Sequence, residues 1–209
     1  MRKLWCNDQM SAENSSTRDR LLAAAERLFL GKDPEQVSVR AINAEAGLNP
    51  GAVHYHFGSK EGLVAALLER ELVPVWADSL APVIHRSEHP EEGEPFSVAD
   101  LVAAIVQPFE ELIRTEKGRT LCHLLACTAL PWWRMPVSSP WFSSAPFEVM
   151  LGRAMPGLPV REISERWRLT FTLLLEIYGY ASAPSSSQPA VRSETVTAFL
   201  TAGLTAPVR

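Results

Sequence analysis

The chain has 209 residues, of which 46% are hydrophobic and 21% are charged, and its formal net charge is −4. This length and composition suffice for two packed units of unequal size. No stretch reaches the length of a membrane span and no apolar signal region is visible, which excludes a membrane-spanning protein and predicts a cytoplasmic location. Three cysteines, Cys6, Cys122 and Cys127, give neither an even disulfide framework nor a metal-ligand spacing, so we expect reduced thiols.

The charge is unevenly distributed along the chain. Residues 1–60 carry 8 Lys and Arg against 7 Asp and Glu, whereas residues 61–209 carry 12 against 17. The excess acid therefore lies in the longer C-terminal part. If the first sixty residues bind a polyanion, a few well-placed groups must provide the attraction, because no broad basic surface is available.

The N-terminal segment predicts a leader followed by a helix. Residues 1–15 predict a disordered leader, and Ser16 is the expected N-cap of the first helix. Beyond it, Leu21, Ala25, Leu28 and Phe29 follow the helical period and define one apolar face. We expect this helix to support a small three-helix unit.

Residues 38–60, SVRAINAEAGLNPGAVHYHFGSK, predict two short helices joined by a tight turn. Ser38 is the expected N-cap of the first helix, and Gly47 is expected to end it because glycine adopts positive φ without strain. Asn49 and Pro50 are the expected N-cap and first residue of the second helix. Two short helices with a turn of three or four residues are typical of a helix-turn-helix that binds DNA.

The second helix of this pair would present different chemistry on its two sides. Val53 and Phe57 lie four residues apart and share the face expected to pack inward. The remaining positions combine small residues, which allow a close backbone approach, with polar tips that suit phosphate oxygens and base edges. These positions are Gly51, Ala52, His54, Tyr55 and His56.

Two further features complete the motif. His54 and His56 are two residues apart, so on a helix they point about 160° apart and do not share an ion. We therefore expect neither a metal nor a cofactor. Gly58 and Ser59 are expected to end one helix and cap the next, which leaves Lys60 in a first turn where its charge suits a phosphate.

The segment GAVHYHFGSKEGL, with SVRAINAEAGLN before it and a helix ending in ERLFLGK, resembles the DNA-binding domain of the TetR-type (tetracycline-repressor-like) transcriptional regulators. The resemblance covers the first third of the chain and departs from the family pattern at His54 and Pro50. It implies an all-helical homodimer that represses transcription until a small ligand enters the C-terminal domain, and it places Ser38 and Arg40 at phosphate contacts. The candidate DNA-binding residues are Ser38, Arg40, Asn49, Pro50, Gly51, His54, Tyr55, His56 and Lys60.

Further helices are predicted along the rest of the chain. A fourth helix begins after Ser59, and if it continues past Pro74 towards His85 it joins the DNA-reading domain to the rest. An acidic loop (87–95), two helices (98–116 and 119–129) and a Pro- and Trp-rich loop (131–142) follow. After them we predict a short helix that begins near residue 146, a long amphipathic helix (160–181), a flexible linker (182–189) and a last helix (190–206). We thus predict an all-α chain with a DNA-binding domain at 16–60 and a ligand-binding and dimerisation domain at 61–209.

The C-terminal part favours a binding site over catalysis. It has no Gly-rich phosphate loop, no nucleophile elbow and no HExxH motif, so an enzyme is not expected. Aromatic residues and methionines around loop-forming prolines together favour a small-molecule pocket, although any single tryptophan is more readily explained by core packing. The candidate ligand-binding residues are Trp76, Arg119, His123, Trp132, Trp133, Met135, Trp141, Phe142, Phe147 and Met150.

A second, weaker resemblance concerns the effector. The segment FEVMLGRAMPGLPVREISERWRLTF is similar to the C-terminal domain of TetR-type regulators that respond to fatty acids or acyl-CoA thioesters. It implies an elongated hydrophobic effector whose acidic head would be held by Arg119, His123 or Arg134.

The last two predicted helices carry more apolar residues than one-sided packing needs. They are Trp167, Phe171, Leu174, Leu175, Tyr178 and Phe199. With the family resemblance, this implies a homodimer through the last two helices and a pseudo-palindromic DNA site. Two alternatives stay open: a helical small-molecule carrier or enzyme with a vestigial helix-turn-helix, and a regulator controlled by a protein partner.

Overall fold

The computed structural model describes residues 2–89, 91, 96–129, 143–180 and 191–208, with side chains from residue 16 onward. Its helices are α1 (Arg2–Gly31), α2 (Val39–Glu45), α3 (Ala52–Phe57), α4 (Lys60–Glu88), α5 (Val98–Ile113), α6 (Glu116–Ala129), α7 (Ala145–Ala154), α8 (Val160–Leu175) and α9 (Ser193–Thr205). A 3₁₀ turn (Pro34–Gln36) precedes α2, and a π turn (Glu176–Tyr180) continues α8. The described residues contain no strand, which confirms the predicted all-α class. None of the described helices has both the length and the apolarity that crossing a bilayer requires.

The chain divides into two compact units, residues 1–67 and residues 68–209. The division falls slightly after the boundary at residue 60 that the sequence predicts. The sequence left open whether α4 continues past Pro74, and the structure shows that it does, since the helix runs to Glu88 and contains both Pro74 and Pro82. One continuous helix thus begins in the first unit and ends in the second.

The first helix begins earlier than the sequence predicts. Because α1 starts at Arg2, Ser16 lies inside the helix and is not its N-cap. The segment before Ser16 contains no proline or glycine that would end a helix, so the serine signal is not enough to set a boundary there. The range 1–15, for which the sequence predicts a leader, is helical backbone from residue 2.

The first unit is built around one apolar core. The predicted inward face of α1 is confirmed for Leu21, Ala25 and Phe29, which are buried, whereas Leu28 is half-buried. Ile42 from α2 and Val53 from α3 are completely shielded from solvent and complete the three-helix packing. Burial of such side chains contributes roughly 1.5–3 kcal/mol each, which is what holds the short helices α2 and α3 in place.

The second unit is organised by α5, whose apolar face packs against α6 and α9. This helix begins with a capping box: Ser97 Oγ accepts a hydrogen bond from the Asp100 backbone N–H (3.2 Å), and the Asp100 carboxylate accepts one from the Ser97 N–H (2.8 Å). The hydrogen bond from the Ser97 backbone and the charge of Arg86 lower the pKa of Asp100. The box fixes where the helix starts and therefore which face it buries.

The apolar residues of the last helices are used differently from the prediction. Trp167, Leu174, Leu175 and Tyr178 are buried inside the second unit, so they do not form an exposed face. Trp167 stacks on Phe147 with ring centroids 4.4 Å apart, which explains why this side chain turns inward. Phe199 on α9 (67%) is exposed as predicted, and α8 also exposes Val160 (76%) and Leu169 (68%), which were not in the predicted set.

Candidate nucleic-acid interface

The turn between α2 and α3 determines what the second of these helices can present. Ser38 Oγ accepts a hydrogen bond from the Ala41 N–H (3.2 Å), which confirms it as the N-cap of α2. Gly47 has φ +64° just after this helix ends, and this confirms its predicted role. The prediction for Asn49 and Pro50 is wrong, because α3 begins at Ala52 and the Asn49 carbonyl accepts a turn hydrogen bond from that residue.

A buried residue that the sequence did not single out caps the first turn of α3, the role predicted for Asn49. Asn43 on α2 is only 1% exposed; its Oδ1 accepts a hydrogen bond from the Val53 N–H (3.1 Å), and its Nδ2 donates to the Pro50 carbonyl (2.6 Å). One side chain therefore satisfies a backbone donor in the first turn of α3 and a carbonyl of the turn before it. The only available signal was a polar residue beside the buried stripe of α2.

Two arginines of α1 hold the other ends of these helices. Arg18 Nη1 donates to the His56 carbonyl (2.6 Å), and its guanidinium lies 4.4 Å from the centre of the Phe57 ring. Arg20 Nη2 donates to the Ala46 carbonyl (2.7 Å) at the end of α2. These long-range contacts were invisible to a reading based on local patterns, and they fix α2 and α3 against α1.

The outer side of α3 carries the most exposed aromatic ring in the described part of the chain. Tyr55 is 81% exposed, and the His56 ring lies edge-on to it with centroids 4.9 Å apart. His54 is also exposed and its Nδ1 lies 3.0 Å from the Gly58 carbonyl, so this nitrogen carries the hydrogen that the bond requires. The predicted inward position of Val53 is confirmed by its complete burial.

The end of α3 and the start of α4 lie where the sequence predicts them. Gly58 has φ +77° at the end of α3, and Ser59 Oγ accepts a hydrogen bond from the Gly62 N–H (3.1 Å), so both residues act as predicted. The Lys60 ammonium donates to the Pro34 carbonyl (2.6 Å). Lys60 therefore ties α4 to the 3₁₀ turn, and a phosphate would use its other two donors.

The remaining candidates lie at the surface of the first unit. Ser38, Arg40, Asn49, Pro50 and Gly51 are all exposed, at the start of α2 and in the turn before α3. Within the described residues, Arg40 has neither a hydrogen bond nor an ion pair. An arginine in this state keeps all five donors available to an incoming phosphate.

The candidate ligand residues of the second unit fall into separate places. Trp132, Trp133, Met135, Trp141, Phe142 and the alternative anchor Arg134 lie outside the described residues. Trp76 is half-buried; its Nε1 donates to the Ile105 carbonyl (3.2 Å), and its ring lies edge-on to Phe109 at 4.8 Å. Phe147 and Met150 are buried on α7, and the Phe147 ring stacks on Trp167.

Both described candidates for an acidic head group already contact backbone carbonyls. Arg119 Nη1 donates to the carbonyl of Ile113, the last residue of α5 (2.9 Å). His123 Nδ1 lies 3.2 Å from the Gly179 carbonyl, and its Nε2 lies 3.5 Å from Cys127 Sγ. Each side chain therefore stabilises the packing of helices, whether or not it also contacts a ligand.

Tyr178 is the second functional candidate that the sequence analysis missed. Its ring stacks on Phe109 with centroids 5.0 Å apart, and the residue is 2% exposed. Its hydroxyl has no hydrogen-bond partner among the described residues. Burial, with the nearby charge of Glu110, raises the pKa of Tyr178 to about 12, so the phenol keeps its proton and can donate it.

Comparison with known proteins assigns the first unit. Residues 21–67 match the model of the bacterial regulatory proteins of the tetR family. The chain is 30% identical over 113 residues to the HTH-type transcriptional regulator TtgR of Pseudomonas putida, covering 54% of this chain and 50% of TtgR. It is 36% identical over 61 residues to the regulator UidR of Escherichia coli, covering 29% of this chain and 31% of UidR. The matched segments thus span at most half of these two relatives.

Solved structures extend the likeness of the fold beyond the first unit. NalD of Pseudomonas aeruginosa, the secondary repressor of the MexAB-OprM multidrug efflux pump, aligns at TM-score 0.54 with 20% identity, covering 91% of this chain and 97% of NalD. The fatty acid degradation regulator FadR of Bacillus halodurans aligns at TM-score 0.52 with 16% identity, covering 90% and 92%. At this identity the alignments show a shared fold. The match to the tetR family thus covers residues 21–67, and the likeness over the rest of the chain is one of fold.

Proposed function

We propose that this chain is a one-component repressor that binds a pseudo-palindromic operator as a homodimer and is released by a small hydrophobic ligand. The observation that carries the proposal is the construction of α3. Its inner side is fixed by Val53, Asn43 and Arg18, while Tyr55 stands 81% exposed on its outer side. An exposed aromatic ring on a rigidly held helix serves recognition and does not help folding.

Phosphate contacts would come from a small number of groups. Arg40 and Ser38 lie at the start of α2, and Lys60 begins α4, so the candidates flank the outer side of α3 in sequence. With a charge of only +1 over residues 1–60, each phosphate contact contributes a large share of the attraction. Phosphate contacts position a protein on DNA, and Tyr55, His54 and His56 would then meet base edges.

Homodimerisation would use the exposed apolar residues of the last two helices. Leu169 and Phe199 each expose about two-thirds of their surface, and α8 and α9 pack against each other. A contiguous apolar patch on a protein surface marks an interaction site, and a dimer through these two helices would bury both side chains. A two-fold dimer would present two copies of α3 to two half-sites.

The ligand proposal rests on the aromatic chemistry of the second unit. Trp76, Phe109 and Tyr178 form a continuous aromatic contact, and the Tyr178 hydroxyl is a buried donor without an acceptor among the residues that the structure describes. A ligand or water acceptor would remove that cost, which is about 1–3 kcal/mol for a buried polar group. FadR of B. halodurans is described as a fatty acid degradation regulator and NalD as a repressor of a multidrug efflux pump, which makes a hydrophobic effector the class to test first.

The test of DNA recognition is selection of binding sites from random duplex DNA by the purified protein, at several salt concentrations. We expect an enriched pseudo-palindrome with half-sites about one helical turn apart or slightly more. Tyr55→Ala should then weaken binding to the selected site by about tenfold or more while leaving weak non-specific binding in place. Failure to enrich any sequence would contradict the proposal and favour a carrier with a vestigial helix-turn-helix.

Arginine variants provide a matched control for the phosphate contacts. Arg40→Ala should weaken binding and reduce the slope of log affinity against log salt by about 1. Arg27→Ala removes the same charge from α1, where Arg27 forms an exposed ion pair with Glu45 (2.8 Å), and should leave the slope unchanged. Equal effects of the two variants would show a non-specific charge effect and no site at Arg40.

Light scattering at micromolar concentration tests the dimer. Phe199→Asp or Leu169→Asp should convert a dimer to a monomer, because a carboxylate would lose its hydration inside an apolar interface. Val149→Asp on α7 is the control, since Val149 is also an exposed aliphatic residue (54%) but lies outside the last two helices. A monomeric wild-type protein would overturn this part of the proposal.

A further inference from the structure

A groove in the second unit brings together groups that neither the sequence analysis nor the family resemblance assigns. It has a volume of about 970 Å³, within the range of ligand sites, and it lies where the end of α4, the start of α5, the end of α7 and α9 meet. Arg86 and Arg153 contribute two positive charges to its wall, and Glu88 contributes one negative charge. The rest of this wall is apolar or carries hydroxyl groups.

Both arginines are oriented by existing contacts that leave donors unused. Arg153 Nη1 donates to Ser87 Oγ (2.8 Å), which links α7 to α4. Arg86 Nη1 lies 3.5 Å from an oxygen of Asp100, a longer separation than that of a strong charge-assisted hydrogen bond. Each guanidinium has five N–H donors, so most of the donors of both groups can still receive an anion.

The same groove offers a surface for an apolar body. Phe96, Val98, Ala154 and Met155 line it on the α5 and α7 sides. Thr201 of α9 also lines it, and Thr201 Oγ1 is shielded from solvent without a hydrogen-bond partner among the described residues. Two guanidinium groups next to apolar side chains provide complementary sites for a charged head and a chain or ring.

We propose that this groove binds an amphipathic anion, with its carboxylate or phosphate head between Arg86 and Arg153 and its apolar part against Phe96 and Met155. The site differs from the aromatic contact around Tyr178, whose neighbour Glu110 is acidic. Because Arg86 and Ser87 lie near the end of α4, an anion held there would join that end to α7. This site is separate from the ligand contact proposed above, and anion binding to it can be measured without DNA.

Titration calorimetry with four probes tests the site. We expect decanoate and decyl phosphate, below their micelle concentrations, to bind at least tenfold more tightly than the uncharged decanamide. Comparing the first two shows whether a carboxylate or a phosphate is the better head group. Inorganic phosphate should bind more weakly than decyl phosphate, because it lacks the apolar part. If decanamide binds as tightly as decanoate, or inorganic phosphate as tightly as decyl phosphate, the proposal is overturned.

Substitutions locate the binding. Arg153→Gln should weaken decanoate binding about tenfold, and Arg86→Gln should do the same even if loss of the Asp100 pair lowers the melting temperature. Arg161→Gln on α8 is the control, because its side chain is 89% exposed, pairs with Glu165 and does not line the groove. Unchanged affinity in both groove variants, or an equal loss in the control, would overturn the site. Operator binding of ligand-free Arg153→Gln should equal that of the wild type, so the site and the DNA proposal fail separately.

Discussion

The helix-turn-helix and the aromatic core of the second unit are held together in different ways. Around α3, side chains satisfy backbone groups: Asn43 bridges Val53 and Pro50, and Arg18 reaches the His56 carbonyl. Around the π turn, rings and small residues pack directly, and one hydroxyl is left without a partner in the described structure. The first arrangement fixes the direction of a short helix, whereas the second depends on close fit.

The largest effect should come from filling space beside the π turn. Gly179→Ala would place a Cβ against Ala126 Cβ and within 3.0 Å of the Cys122 carbonyl, and neither neighbour is the end of a flexible side chain. We expect a loss of about 3 kcal/mol in the free energy of unfolding, measured by urea denaturation. Gly152→Ala on α7 is the control, because its Cβ would make an ordinary 3.6 Å contact with Ile163. Equal stability of the two variants would show that the close fit at Gly179 does not matter.

The next effect concerns the hydrogen bonds beneath α3. Asn43→Ala would leave the Val53 N–H without its acceptor and the Pro50 carbonyl without its donor, in a buried position. We expect a loss of about 2 kcal/mol in stability, and weaker operator binding because α3 is no longer fixed. Asn49→Ala, in the exposed turn, should change stability by less than about 0.5 kcal/mol. If Asn49→Ala lost more stability than Asn43→Ala, Asn49 would have the capping role that the sequence predicts for it.

The helix-turn-helix shows which features the sequence can predict and which it cannot. Ser38, Gly47, Gly58 and Ser59 were predicted because caps and helix ends depend on residues three or four positions apart. The family pattern around Tyr55 likewise lies in one short segment. The contact of Arg18 with His56 joins residues 38 positions apart, and no local pattern announces it.

The second unit was less predictable for the same reason. Its helices were foreseen from apolar periodicity, with ends near those observed for α6 and α9. Which aromatic rings meet was not foreseen, because Trp167 was expected at an exposed face and instead stacks on Phe147. Periodicity identifies the apolar side of a helix but not the element that covers it.

A smaller effect, of opposite sign, would sharpen the account of the aromatic core. Tyr178→Phe removes a buried hydroxyl that has no partner among the described residues, so the ligand-free protein should gain up to about 1 kcal/mol in stability. Tyr55→Phe is the control and should stay within about 0.5 kcal/mol, since Tyr55 is 81% exposed. A clear loss of stability in Tyr178→Phe would show that the hydroxyl is hydrogen-bonded in solution, to water or to a retained ligand.

The smallest effect concerns the charge that begins α5. The pKa of Asp100 is lowered by the hydrogen bond from the Ser97 backbone and by Arg86, so its carboxylate is more acidic in the folded chain than in the unfolded one. A lowered folded pKa contributes stability that is present above about pH 4 and is lost as the pH falls through the folded value.

Asp100→Asn should therefore lower the urea midpoint slightly at pH 6 and leave it nearly unchanged at the lowest pH at which the protein still folds. Because the carboxylate is well exposed, the difference should be small, and high salt should reduce the part that comes from Arg86. Asp78→Asn on α4 is a suitable control, since Asp78 is exposed and lies outside any capping box. A midpoint difference that grows on acidification would contradict this assignment. It would also mean that α5 begins by a means other than its capping box.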